Sequence, residues 1–344
     1  MQKILYAIKI IGGWAVAAVA AAIICNLSCF LFYAPFQELT RSHGSTTGFL
    51  VPGSRGVYGL EGYCMTSTDE DGYINRNIER ADDYYVVAGA SHTEGLFLPV
   101  NRRYSDILND SLWHDGKNHV INIGKSGNYF SVVLQHLDGI LGEFPDAKGL
   151  IIETDSLCYD TKALRDSMIQ AGYDPEETAS ALMGAMSDRQ KLTMRMKQSL
   201  PLLRLLHKQY YTYLESRNSG TGSDILDPVF WQSEYEGDFE EALDDLMKFI
   251  RSKTDKQVII LYHPAVSLNE DGTMTCLTNH AEPYYEKVCR ANGIDFVDMT
   301  GPFMEAYESS HIIPYGFANT TPGEGHTNRA AHAMMAEELG KVIR

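Results

Sequence analysis

The chain is short of basic residues: 29 Lys and Arg stand against 45 Asp and Glu among 344 residues, for a formal net charge of -16. That deficit argues against nucleic acid or another polyanion as the main partner, since there is no surplus of cations to neutralise phosphates. Acidity of this degree mainly serves solubility. Cysteine is also sparse. Six are present, none at the spacing of a metal site, and no internal repeat is found, so the fold is not a repeat array. Cys25 and Cys29 lie in an apolar run, leaving Cys64, Cys158, Cys276 and Cys289 elsewhere. Two disulfides, with Cys276 and Cys289 the first pair to consider, and unpaired buried thiols both remain open. Cys29 has no leucine three residues before it, so a lipoprotein signal is not expected.

Charge is missing altogether from Ile10 to Phe36, a run of 27 residues. A tilted helix of that length crosses a hydrocarbon core of about 30 Å, and it exceeds the apolar region of about 7–15 residues in a cleaved signal peptide. Lys3 and Lys9 precede the run and Arg41 alone follows it closely. The positive-inside bias then puts the N-terminus in the cytoplasm and the rest outside, a single-pass protein of the cell membrane. Residues 1–36 are read as the anchor and 37–80 as linker and domain edge. The linker reading rests on turn-rich stretches such as Pro52-Gly53-Ser54 and Asp69-Glu70-Asp71-Gly72.

What is present from 81 to 344 is an alternation of short apolar runs and amphipathic stretches. Tyr84 to Ala88, Val120 to Ile123, Lys148 to Asp155, Lys256 to Tyr262 and Asp295 to Asp298 read as core strands. Helices are expected at Tyr104 to Trp113, Tyr129 to Phe144, Phe239 to Ile250, Ala281 to Asn292 and from about Asn328 onward. This rhythm signals a doubly wound parallel sheet, an α/β fold. A helical insertion at about 157–254 interrupts it. Arg189, Lys191, Arg195, Lys197, Arg204, His207 and Lys208 alternate there with Leu and Met. Contact with anionic lipid is one reading of them, and the solvated face of a helix is the plainer one.

Three polar stretches stand out, two at strand ends and one just before the last helix. Gly89-Ala90-Ser91-His92-Thr93-Glu94 resembles the first block of the SGNH, or GDSL-type, hydrolases. Asn122-Ile123-Gly124-Lys125-Ser126-Gly127-Asn128 resembles the second, and Gly323-Glu324-Gly325-His326-Thr327-Asn328 followed by His332 resembles the C-terminal block. The resemblance covers residues 84 to 340 and implies a flavodoxin-like three-layer α/β/α core with a central parallel sheet. It also implies acyl transfer at an ester, with O-acetyl groups of cell-surface glycans the commonest substrates of anchored members. No cofactor is implied.

A serine hydroxyl needs a base within hydrogen-bond reach and donors for the charge that develops on the attacked carbonyl. Under the resemblance Ser91 attacks and His326 moves its proton, while the Ser91 and Gly127 amides donate to the oxyanion. Three family positions differ here. Ala90 stands in place of the family's Asp beside the serine, which removes no proton-transfer partner. Gly323 stands where an Asp is usual three residues before the histidine, so either Glu324 orients the ring or a backbone carbonyl does, leaving a dyad. Glu153-Thr154-Asp155-Ser156 replaces Gly-x-Asn-Asp, so the Thr154 hydroxyl or the Asn128 amide is the candidate third donor. His92, Asp155 and His263 are candidates to contact substrate, and His332 is expected to pack near the site. A different class stays open: a catalytically degenerate domain that binds glycan or a cell-envelope partner.

Overall fold

A computed structural model describes residues 2–32, 34, 36–39, 49–157, 160–172, 179–218, 238–277 and 280–344. Cys158 lies outside them. Its core is a five-stranded parallel sheet: β1 (Arg80–Ala88), β2 (Asn118–Asn122), β3 (Gly149–Thr154), β4 (Gln257–Tyr262) and β5 (Asp295–Asp298). The spatial order is β5-β4-β3-β1-β2. The order reverses between β1 and β3, and open α/β sheets bind ligands outside the carboxyl ends of strands at such a switch point. Ser91 follows β1 at that place.

Alternation along the strands decides which layer each side chain joins. Tyr84, Val86, Ala88, Leu150, Ile152, Val258 and Ile260 face one layer, packed by helices Phe130–Gln135, Phe239–Lys253 and Glu282–Ala291. Tyr85, Val87, Ile151, Ile259, Leu261 and Val297 face the other, under helices Tyr104–Leu112, Thr300–Ser310 and Arg329–Gly340. Both faces are therefore covered, which is why these strands read as continuous apolar runs.

Several expectations change. The helix expected from Tyr129 to Phe144 breaks at His136 into Phe130–Gln135 and Leu137–Glu143. The His136 Nδ1 lies 2.8 Å from the Val132 carbonyl, so a side chain intrudes on the helical ladder there. Helix Thr300–Ser310 and the hairpin of Ala265–Leu268 with Met274–Leu277 had no clear sequence signal. Cys276 and Cys289 are free thiols rather than a disulfide. They belong to opposite layers, Cys289 against Met247 on one side and Cys276 beside the Phe303 cluster on the other.

Helix Gln2–Phe32 is apolar, long enough to cross a membrane, and not buried against the rest of the chain over its most apolar window. Residues 37–80, expected to be connecting turns, contain two small antiparallel pairs, Glu38–Leu39 with Phe49–Leu50 and Arg55–Tyr58 with Cys64–Ser67. The second pair meets the end of the apolar helix. Val57 N–H donates to the Ala34 carbonyl at 2.8 Å, and the Tyr63 hydroxyl donates to the Leu31 carbonyl. Between β3 and β4 lie helices Thr161–Ser167, Ala179–Ala185, Asp188–Ser199 and Pro201–Asn218.

Candidate active site

β1 ends at Ala88, and Gly89 turns the chain into a one-turn helix, Ser91–Glu94. Glycine is required at 89: a Cβ there would stand 2.3 Å from Glu153 Oε2 and 2.5 Å from Thr93 Oγ1. That crowding is the point of the turn. Glu153, at the end of β3 and 1 % exposed, accepts the Ala90 N–H at 3.0 Å and the Thr93 hydroxyl at 2.7 Å. Its other oxygen lies 2.9 Å from His263 Nε2, and His263 Nδ1 lies 2.7 Å from the Tyr315 hydroxyl. A buried carboxylate thus ties the serine turn to the ends of β3 and β4, with its lone pairs taken by hydrogen bonds as burial demands.

The second polar stretch is tied to the same helix. Glu94 Oε2 accepts from Ser126 N at 3.0 Å and Ser126 Oγ at 2.6 Å, and Lys125 N–H donates to the Gly89 carbonyl at 2.9 Å. Among the described residues neither the Ser91 nor the Gly127 amide is engaged in a hydrogen bond.

His326 arrives from the C-terminal side. Asn328 caps helix Arg329–Gly340 through Ala330 N and Ala331 N, and its amide nitrogen holds the Ile313 and Gly316 carbonyls. The His326 ring lies on Phe97 with centroids 4.0 Å apart. Its Nε2 is 2.8 Å from Ser91 Oγ. The partner of Nδ1 is Glu61, at 2.7 Å, and the same Glu61 oxygen accepts the His326 backbone N–H at 3.0 Å. A carboxylate on Nδ1 retains the proton there and leaves Nε2 free to accept from Ser91.

Glu61 replaces Glu324 in that position. Glu324 is exposed, while Gly325 turns with φ +78°, and a Cβ at Gly325 would come within 2.9 Å of the Glu61 carboxylate. The room left by that glycine is filled by an acid from a turn 265 residues earlier. Asn319 holds the turn: its Oδ1 accepts Gly62 N–H at 2.7 Å and its amide nitrogen reaches the Gly59 carbonyl at 3.3 Å. The sequence signals were an acid flanked by Gly59 and Gly62, and the vacant acid position at Gly323.

The other candidates are placed as follows. The Thr154 hydroxyl donates to the Ser156 carbonyl at 2.6 Å, so its one proton is committed and cannot serve an oxyanion. Asn128 is buried and lines a cavity of about 100 Å³ with Tyr73, Ile123, Val133 and His136, a space bordered by neither Ser91 nor His326. His263 is fully buried in its pair with Glu153 and has no surface for substrate. His92 packs between His263 and His326, with ring centroids 4.7 and 4.9 Å away. Its Nδ1 accepts the Thr327 N–H at 3.2 Å, which puts the proton on Nε2, 3.7 Å from Asp155. Burial, then the neighbouring histidines, drives the His92 pKa well below its ordinary value. Asp155 is half-buried, and burial followed by the Glu153 charge raises its carboxyl pKa. His332 accepts the Tyr104 N–H at Nδ1, lies 3.2 Å from the Thr327 hydroxyl through Nε2, and is pushed down to about 3 by burial. Among the described residues no cluster of His, Cys, Asp or Glu is arranged to hold a metal ion.

No family model and no curated protein matches the chain. Similar solved structures include an acetyl xylan esterase, AlAXEase, at 14 % identity and TM-score 0.39, covering 75 % of this chain and 100 % of that one. An α/β hydrolase, LAE5, from the metagenome of Lake Arreo, Spain, gives 14 %, 0.37, 76 % and 94 % in the same order. A protein of Desulfitobacterium hafniense DCB-2 ascribed to the G-D-S-L lipolytic family gives 12 %, 0.35, 75 % and 99 %. These are distant likenesses of fold, and the roles of individual residues rest on the geometry of this chain.

Proposed function

We propose that the chain is a membrane-anchored serine esterase or O-acyltransferase of SGNH type, acting outside the cytoplasm on ester groups of cell-surface glycans, with O-acetyl the favoured acyl group. The observation that carries this reading is the line from Ser91 Oγ through His326 to Glu61, with hydrogen bonds of 2.8 and 2.7 Å, at the carboxyl edge of a parallel sheet. The sheet order 2-1-3-4-5, that of flavodoxin-like folds, is in keeping with it. Residues 81–344 form the catalytic domain in this reading, with 1–36 as the anchor. In this reading the turn that carries Glu61, within the segment 37–80 read as linker, belongs to the site.

In the first half-reaction Ser91 Oγ bonds to the ester carbonyl carbon as its proton passes to His326 Nε2. The carbonyl electron pair moves to oxygen, where the Ser91 and Gly127 amides are the proposed donors. Glu61 balances the imidazolium charge. Collapse breaks the carbon–oxygen bond to the leaving alcohol, which takes the proton from Nε2, and an acyl-serine remains. Water or a sugar hydroxyl then attacks the acyl carbon, loses its proton to Nε2, and Ser91 is released with the proton returned.

The second reading, a binding domain without turnover, is favoured by one observation: the Thr154 hydroxyl is committed to the Ser156 carbonyl, and Asn128 lines a cavity that borders neither Ser91 nor His326. A fluorophosphonate probe on the detergent-solubilised full chain separates the two. Labelling that Ser91→Ala abolishes supports the enzyme; a folded chain that takes no label, and hydrolyses neither p-nitrophenyl acetate nor acetylated xylan, rejects it.

A further inference from the structure

Helices Asp188–Ser199 and Pro201–Asn218 meet at a bend, at Leu200, that touches the apolar N-terminal helix through Asn26. Asn26, within that apolar run, donates from Nδ2 to the Ser199 carbonyl at 3.4 Å and accepts the Leu202 N–H through Oδ1 at 3.2 Å. From Ile10 to Phe32 the apolar helix is exposed on all sides except at Asn26 and Cys29, one helical turn apart. At 1.5 Å per residue Asn26 stands about 24 Å from Ile10 and about 9 Å from Phe32. It is therefore within a hydrocarbon core of about 30 Å, in its C-terminal half.

Two costs cancel at this contact. An asparagine amide in lipid needs partners, and so do a carbonyl and an amide left open where a helix breaks, because hydrocarbon supplies none. Here they satisfy one another. In water neither would need the other, so the pairing points to an apolar medium around the break at Leu200.

The exposed side chains of the two helices fit the same medium. Leu192, Met196, Leu203, Leu206 and Tyr210 are each between 52 and 60 % exposed. Leu192 and Met196 are four residues apart, and Leu203, Leu206 and Tyr210 follow at three and four, so each helix presents one apolar stripe. Arg189 and Arg195, both exposed, lie three residues either side of Leu192 and flank its stripe. Residues 188–207 carry five Lys and Arg against a single Asp, in a chain whose net charge is -16. An apolar stripe bordered by long cationic side chains suits the boundary between acyl chains and anionic headgroups, where the stems stay in the apolar layer and the guanidinium groups reach phosphate.

We propose that this pair of helices is a second membrane-binding element, seated on the anchor helix through Asn26, with its exposed leucines in the acyl layer and Arg189 and Arg195 on anionic phospholipid. The inference rests on the reading of residues 10–32 as a membrane anchor. It adds that the domain is held against the bilayer rather than tethered at a distance from it.

The test places the photo-crosslinking residue benzoylphenylalanine at Leu203 or Leu206 of the full chain, in nanodiscs of phosphatidylcholine alone or mixed with phosphatidylglycerol. Leu27 on the anchor and Leu112, half-exposed at the amino edge of the sheet beside Asp83 and Lys148, serve as controls. Phospholipid adducts at Leu203, Leu206 and Leu27 but not at Leu112 are expected. Arg189→Gln with Arg195→Gln should lower the preference of the Leu203 adduct for phosphatidylglycerol about tenfold. Adducts at Leu27 with none at Leu203 or Leu206, or adducts there with a second copy of the chain or another protein, overturn the inference and leave the anchor standing. Absence of lipid adducts at all positions removes both. Circular dichroism of each variant establishes that it is folded.

Discussion

Glu61 and Glu324 make different predictions for the orientation of His326. Glu61→Gln retains an acceptor for Nδ1 but removes the charge that stabilises the imidazolium, so kcat for p-nitrophenyl acetate should fall about 10³-fold with KM little changed. Glu324→Gln, at an exposed position with no tie to the ring, should stay near the parent rate. Beneath the site, Glu153→Leu would leave the His263 ring, the Ala90 amide and the Thr93 hydroxyl without their acceptor. Urea unfolding should show a loss of about 3–5 kcal/mol, the cost of leaving three buried hydrogen-bonding groups without their partner. His332 has a pH signature. Its pKa is 6.5 ordinarily and about 3 in the fold, so between those values the unfolded chain binds the extra proton. Stability from this group is complete above about pH 6.5 and is lost as pH falls toward 3, at about 1.4 kcal/mol per unit. His332→Asn should therefore diminish the loss between pH 7 and pH 5 by about 2 kcal/mol in paired urea titrations.

At the scale of elements, the site is an arrangement of turns that strands and caps hold in place. Gly325 adopts φ +78° and leaves the Glu61 carboxylate its space, so Gly325→Ala is strained in its backbone and pushes the acid off the ring. Fluorophosphonate labelling should slow at least about tenfold, since small displacements of a catalytic group cost this much or more, while the melting temperature shifts by only a few degrees. The Arg55–Tyr58 and Cys64–Ser67 pair carries Glu61 at its tip and Tyr63 on the end of the apolar helix. The element that supplies the acid is therefore also the one that meets the anchor.

At the scale of the whole molecule, a covered parallel sheet and one uncovered apolar helix ask for different surroundings. Ile151, Ile152, Ile259 and Ile260 are fully buried at the middle of the sheet, and truncation of any one to alanine should cost about 2–5 kcal/mol. Over its most apolar window helix Gln2–Phe32 has no such cover among the described residues. The uncut 38.4 kDa chain is expected in carbonate-washed membranes; recovery of a soluble product lacking the first residues would mean that the run is a cleaved signal.

The five strands, most of their helices, the apolar N-terminal run and the Ser91 and His326 stretches were legible in the sequence, because each is written in a local pattern: alternation, helical periodicity, unbroken hydrophobicity, or a serine or histidine beside glycine. Burial of Glu153 with His263, and the meeting of Glu61 with His326, were not. Those depend on which turns the packed sheet and its caps bring together across 110 and 265 residues, and no residue carries that distance in its own neighbourhood. Composition and order chose the elements and set Ser91 and His326 in their polar turns. Only the tertiary structure decided which carboxylate meets the His326 ring, because a carboxylate serves whichever hydrogen-bond donor the fold sets within about 3 Å of it.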